Sequence, residues 1–148
     1  MDIEAAMRSG LGADERAFTI ARLLAVRAAA SPDAPAIAAP GMADLSYGAL
    51  ADQLGDVAAR LAALGVQPGC RVALVLPEGS ACAATLLAVA QFTTCAPLDP
   101  ALPADVLADT LDRIGPALLL VAAETAADVR AAAAARGIAT AEVRPDPA

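Results

Sequence analysis

The sequence predicts an α/β fold: a mainly parallel sheet with flanking helices. Two observations carry this. Continuous apolar runs such as Arg71 to Leu76 and Ala117 to Val121 read as strands buried on both faces. Between them lie segments whose apolar residues recur with the helical period, punctuated by Gly and Pro.

The elements follow in order. Residues 1–17 show no sustained periodicity and carry Gly10 and Gly12, so a mobile lead-in is expected. Thr19 is placed to cap a helix with the stripe Ile20, Leu23, Leu24 and Ala28, which Ser31-Pro32 ends. Ala36 to Ala38 reads as a short strand, and Pro40-Gly41 as a turn. The clearest helix follows Leu45-Ser46-Tyr47. Its stripe is Leu50, Leu54, Val57, Ala58, Leu61 and Leu64, with Asp52, Asp56 and Arg60 on the polar side. Gly65 stands where a left-handed C-cap belongs.

Pro68-Gly69 turns the chain into the first buried strand, and Pro77 stops it. A helix over Ser80 to Gln91 and a strand over Thr94 to Leu98 come next. After a loop bracketed by Pro100 and Pro103, residues 104–114 predict an amphipathic helix on Val106, Leu107, Leu111 and Ile114. Gly115-Pro116 ends it. Ala117 to Val121 is a buried strand, Thr125 to Arg136 an alanine-rich helix closed by Gly137, and Ile138 to Val143 a last strand. The expected organisation is a lead-in at 1–17, one subdomain at 18–143 and a tail at 144–148.

Composition limits the function. Hydrophobic residues make up 58% of 148 residues, which argues against disorder. Alanine contributes 43 of them and aromatics only 2%, so the core rests on a few Leu, Val and Ile positions. The net charge is −7 and the pI about 4.3. With no basic run and few aromatics to stack on bases, no nucleic-acid partner is expected. Gly79 to Leu98 is uncharged, but it is rich in Ala and holds Ser80, Thr85, Gln91 and Pro97. It is read as a buried helix and strand rather than a membrane span. Cys70, Cys82 and Cys95 are widely spaced and are expected to be reduced, largely buried thiols. Met1-Asp2-Ile3-Glu4 lacks the basic start and apolar core of a signal peptide, and a cytoplasmic location is the expectation.

All ten basic residues are arginine, and the chain contains no lysine or histidine. A Walker phosphate loop, a Ser-His-Asp triad and a Cys-His pair are therefore excluded. Gly10-Leu11-Gly12 fails as a dinucleotide fingerprint, because no strand precedes it and Glu15 stands where glycine is needed. Asp105, Asp109 and Asp112 share a helix face and are expected to be solvated rather than to hold a metal. Glu78 is the best-placed carboxylate, at the carboxyl end of a strand, but it stands alone. Arg71 and Asp99 flank buried strands as a candidate structural charge pair.

Several segments resemble adenylate-forming enzymes: acyl-CoA synthetases, luciferases and peptide-synthetase adenylation domains. Leu45-Ser46-Tyr47-Gly48-Ala49-Leu50 is similar to their L-[TS]-Y-x-E-L core. Ser31-Pro32-Asp33-Ala34-Pro35-Ala36-Ile37 resembles the stretch upstream of it. Leu64 to Ala73 resembles their L-G-V-x-P-G-D-R-V-A, and Leu86 to Pro100 their second core motif. Cys70 replaces the usual Asp, Ala49 the usual Glu, and Phe92-Thr93 a glycine pair. Thr93 to Pro100 lies closer to oxalate–CoA-ligase-like members than to peptide synthetases.

The resemblance implies part of the N-terminal domain of an enzyme that activates a carboxylic acid with ATP and Mg2+ and passes it to CoA. The family's phosphate loop with its lysine, its nucleotide motifs and its C-terminal catalytic lysine have no counterpart in these residues. No catalytic, cofactor-binding or metal-binding residue is therefore assigned, and ATP, Mg2+ and CoA are implied only for the complete family. The expected partner is the remainder of the enzyme, in cis or as a second chain, and the expected state is a truncated, inactive N-terminal fragment. A non-catalytic interaction module, or one half of a split adenylating enzyme, is the alternative. An unrelated small α/β enzyme working with carboxylates alone is the third reading, disfavoured by the absence of His and Lys.

Overall fold

A computed structural model describes residues 19–40, 43–125 and 127–144. The lead-in at 1–17, the Gly10-Leu11-Gly12 sequence, Gly41 and the tail beyond Arg144 lie outside them. Five helices and six strands are described: α1 (Ile20–Ala30), β1 (Pro35–Ile37), β2 (Leu45–Ser46), α2 (Tyr47–Ala63), β3 (Arg71–Val75), α3 (Ser80–Phe92), β4 (Thr94–Leu98), α4 (Ala104–Ile114), β5 (Leu118–Ala122), α5 (Ala127–Ala134) and β6 (Ala139–Val143).

The helix ends follow from local chemistry. Thr19 Oγ1 accepts from Arg22 N at 3.2 Å and starts α1, and Ser46 Oγ accepts from Ala49 N at 3.3 Å and starts α2. At the end of α2, Gly65 takes φ +81°. Its N–H donates to Ala62 O and the Val66 N–H to Leu61 O, both at 3.0 Å. This is a Schellman closure, and Leu61 and Val66 pack in one core cluster as that motif favours. Gly137 closes α5 in the same way, with Ile138 N donating to Ala133 O. Gly48 has a different role. A Cβ there would lie 3.2 Å from Pro32 O, so glycine lets the first turn of α2 press against the upstream loop.

β3 to β6 form a parallel sheet in the order β4-β3-β5-β6. β1 and β2 form a separate antiparallel pair. The period-two alternation of the strands divides the core. Val72, Leu74, Leu118 and Leu120 face α2 and α3, where Leu61 and Val89 meet them. Ala73, Val75, Leu119 and Val121 face α4 and α5, where Leu107, Leu111, Val129 and Ala133 meet them. A third cluster, centred on Leu50, Leu54 and Ala88, joins α2 and α3 to Leu24 of α1 and to β1 and β2. Gln91 Nε2 reinforces that joint, donating to Leu54 O at 2.7 Å.

The sheet, the flanking helices and the buried strands agree with the expected fold. Individual side chains differ. Leu64 caps α2, and the closure through Gly65 turns it outward to 55% exposure while Val66 takes the core position. Val106 is 44% exposed because Leu107 and Leu111, one helical turn apart, aim at the sheet and leave it about 100° off that line. On α1, Leu24 reaches the core while Leu23 is exposed. Helix α5 is shorter than its alanine-rich sequence suggests. Among the described residues no helix is long and apolar enough to cross a membrane.

Candidate functional site

In this topology the loops after the neighbouring strands β3 and β5 leave in opposite directions. The first enters α3 on one face of the sheet, and the second leads to α5 on the other. Such a divergence opens a crevice at the carboxyl edge, the usual ligand position in open α/β sheets. The segments that follow the strands at that edge are Pro77-Glu78-Gly79 after β3, Ala123-Glu124-Thr125 after β5 and Asp99-Pro100 after β4.

Gly79 carries φ +143°, a conformation that favours glycine, although a Cβ there would meet nothing within 4 Å. The glycine is needed for backbone direction, since it swings the chain from β3 into α3. Glu78, Asp99 and Glu124 are exposed at this edge. Asp99 Oδ1 accepts from Ala101 N at 2.8 Å, which shapes the loop after β4. Arg130 reaches back from α5 to the end of β5, where Nη2 donates to Ala122 O at 2.9 Å and Ala123 O at 3.4 Å. The same nitrogen lies 3.7 Å from Glu142 Oε2, and Arg144 Nε lies 3.2 Å from Glu142 Oε1. The guanidinium thus pins the β5 loop to α5 and β6. Sequence reading missed this role, because a single arginine on a short alanine-rich helix carries no signal of its target.

Other expected residues are dispersed. Arg71 opens β3 and Asp99 follows the end of β4, so in a parallel pair they lie at opposite edges, roughly 16 Å apart at ~3.3 Å per residue. They are not a charge pair. The acidic face of α4 is solvated as expected, with Asp105, Asp109 and Asp112 all exposed, but Asp112 has a partner in addition. Asp112 receives both Arg136 Nε and Nη2 at 2.8 Å, which docks α4 onto α5. The hydrogen bonds from Arg136 hold the Asp112 carboxyl below its ordinary range. Among the described residues no three His, Cys, Asp or Glu side chains are grouped so as to hold a metal ion.

The three cysteines are free and half-buried rather than fully buried, at the margin of the α2–α3 core cluster. Burial, with Cys82 nearby adding to it, pushes the Cys95 thiol up to about 11. That thiol is a poor nucleophile. At the opposite, amino edge of the sheet, a depression of about 370 Å3 is lined by Thr110, Arg113 and Ile114. It brings together no acid–base pair. At the carboxyl edge the described residues therefore direct loops and present surface carboxylates.

The family profile of AMP-binding enzymes matches residues 24–147. Nonribosomal peptide synthetase 8 of Aspergillus fumigatus is 34% identical over 104 residues, which is 70% of this chain and 1% of that protein. Among solved structures, CmiS6 is 30% identical with a TM-score of 0.69, over 91% of this chain and 32% of its own. A fatty acyl CoA synthetase of Mycobacterium tuberculosis is 25% identical with a TM-score of 0.71, over 80% and 24%. A protein described as a long-chain-fatty-acid CoA ligase from Rhodopseudomonas palustris has the same fold at 22% identity, with a TM-score of 0.79 over 91% and 35%. The chain thus spans about a third or less of the length of these relatives. The matched residues take in every described element from β1 to β6, and on that match the chain belongs to the AMP-binding enzyme family.

Proposed function

We propose that this chain is the N-terminal framework of an AMP-dependent acid-activating ligase of the acyl-CoA synthetase type, and that it is catalytically silent by itself. In the complete enzyme it shapes one wall of the crevice. The remainder, in cis or as a second chain, supplies the groups that bind ATP and Mg2+, form the acyl-adenylate and pass the acyl group to CoA. The observation that carries the proposal is the pairing of a family match over 24–147 with a chain that has no lysine or histidine. Adenylate formation rests on neutralising and positioning phosphates. Here Arg130, at the carboxyl edge, is held by the carbonyls of Ala122 and Ala123 and lies near Glu142, and Arg144 stands exposed beside Glu142.

The test is calorimetric titration of the pure chain with ATP and Mg2+, together with a carboxylate-dependent pyrophosphate-exchange assay. No binding heat and no exchange are expected. Tight ATP binding, or exchange by the chain alone, would overturn the proposal and reveal a nucleotide site within these residues.

A further inference from the structure

Of the five described helices, only α1 has no buried residue. Its inner line, Leu24 and Ala28, is half-buried, and Leu24 packs on the cluster of Leu50, Leu54 and Ala88. On the opposite side Leu23 is 46% exposed and Val26 60% exposed. At about 100° per residue, Val26, Ala30 and Leu23 fall within one stripe roughly 60° wide. Arg22 borders that stripe on one flank and Arg27 on the other, and both are exposed.

α1 contains no acidic residue, and neither guanidinium has an ion-pair partner among the described residues. An apolar stripe between two unpaired cations is thus open on a chain of net charge −7. Contiguous apolar surface with a polar rim is what contact sites present. The matching occupant carries apolar groups between acids. A second copy that met this face with its own would set arginine against arginine.

The residues that precede Thr19 have the complementary order. On the helical period Ile3 and Met7 fall together, with Asp2 on one flank and Glu4 on the other. Residues 8–18 join the two segments and include Gly10 and Gly12. Their reach is roughly 36 Å at ~3.3 Å per residue. The 11 residues of α1 span only about 16 Å, so the chain can double back along the helix. A tethered contact needs little intrinsic affinity, because the tether sets a high effective concentration.

We infer that residues 2–7 of this chain dock on the outer side of α1. Ile3 and Met7 lie against Leu23 and Val26, and Asp2 and Glu4 pair with Arg22 and Arg27. This contact is internal to the chain and is independent of the family's reaction.

The test is methyl NMR on the full chain in dilute solution. Nuclear Overhauser contacts are expected from the Ile3 and Met7 methyls to those of Leu23 and Val26. Arg22→Glu with Arg27→Glu should abolish them and speed amide exchange over residues 3–7 at least about tenfold. Adding Asp2→Arg with Glu4→Arg to that variant should restore both. Contacts of Leu24 with the cluster of Leu50 and Leu54 should persist in every variant, which reports that α1 stays folded. Contacts absent from the folded chain, or surviving reversal of both arginines, overturn the inference. Contacts seen only between differently labelled molecules in a mixed sample assign the face to a second copy and overturn it as well.

Discussion

The last turn of helix α2 and its C-cap present two leucines three residues apart with opposite fates, Leu61 and Leu64, and replacing each with alanine tests the packing directly. Leu61 is 2% exposed and packs with Val66, Val72, Leu74 and Leu118. Leu61→Ala removes three carbons, a transfer loss of about 2.4 kcal/mol at ~0.8 kcal/mol per methylene. A residual void of roughly 40–60 Å3 adds about 1–1.4 kcal/mol at ~24 cal/mol per Å3, giving ~3.5 kcal/mol in total. Collapse of the cluster into the void would bring the loss toward ~2 kcal/mol. Leu54→Ala, in the cluster with Leu50 and Ala88, falls in the same range of about 2–5 kcal/mol. Leu64 is 55% exposed, so less than half of its surface leaves water on folding and its loss is limited to about 1 kcal/mol. Asp52, exposed on the polar side, changes stability by less than about 0.5 kcal/mol as Asp52→Ala. Urea unfolding of the four variants at a common slope reads these differences as midpoint shifts. Equal midpoints for Leu61→Ala and Leu64→Ala would refute the reasoning, because helix α2 would then be rotated about its axis from the described packing.

Two further predictions concern pH. Asp112 is held below its ordinary value of 3.8 by Arg136, so its contribution is present above the unfolded value and is lost as pH falls through the folded one. Asp112→Asn should therefore lower stability near neutral pH and flatten the acid limb of the stability curve below about pH 4; an unchanged acid limb would mean that the α4–α5 pair carries no stability. Cys95 runs in the opposite sense: its thiol is raised from 9.0 to about 11, so its contribution is complete below about pH 9 and fades between there and pH 11. Cys95→Ala should weaken the alkaline loss of stability, and iodoacetamide at mildly alkaline pH should label Cys95 more slowly in the folded than in the urea-unfolded chain, which peptide mass mapping will read.

The sequence by itself determined the alternation of elements and the parallel character of the sheet. Uncharged runs such as Val72 to Leu76 have no polar side to give to water, so both faces had to be covered by helices. It determined helix ends where a single residue type satisfies the local geometry, as at Thr19, Ser46, Gly65 and Gly137. The lack of lysine and histidine also bounded the chemistry, whatever the fold.

Tertiary structure decided what depends on direction and on distant partners. Leu61 and Leu64 share one helical stripe in the sequence, yet the Schellman turn separates them by recruiting Val66 into the core. Arg71 and Asp99 both flank buried strands, and only the parallel register puts them at opposite edges. Asp112 belongs to an acidic face until the fold brings up Arg136, 24 residues along the chain. The position of Arg130 over the end of β5 has the same origin. Local propensity and periodicity act over a few residues, whereas each of these contacts is made by chain reversals that bring remote side chains within hydrogen-bond reach.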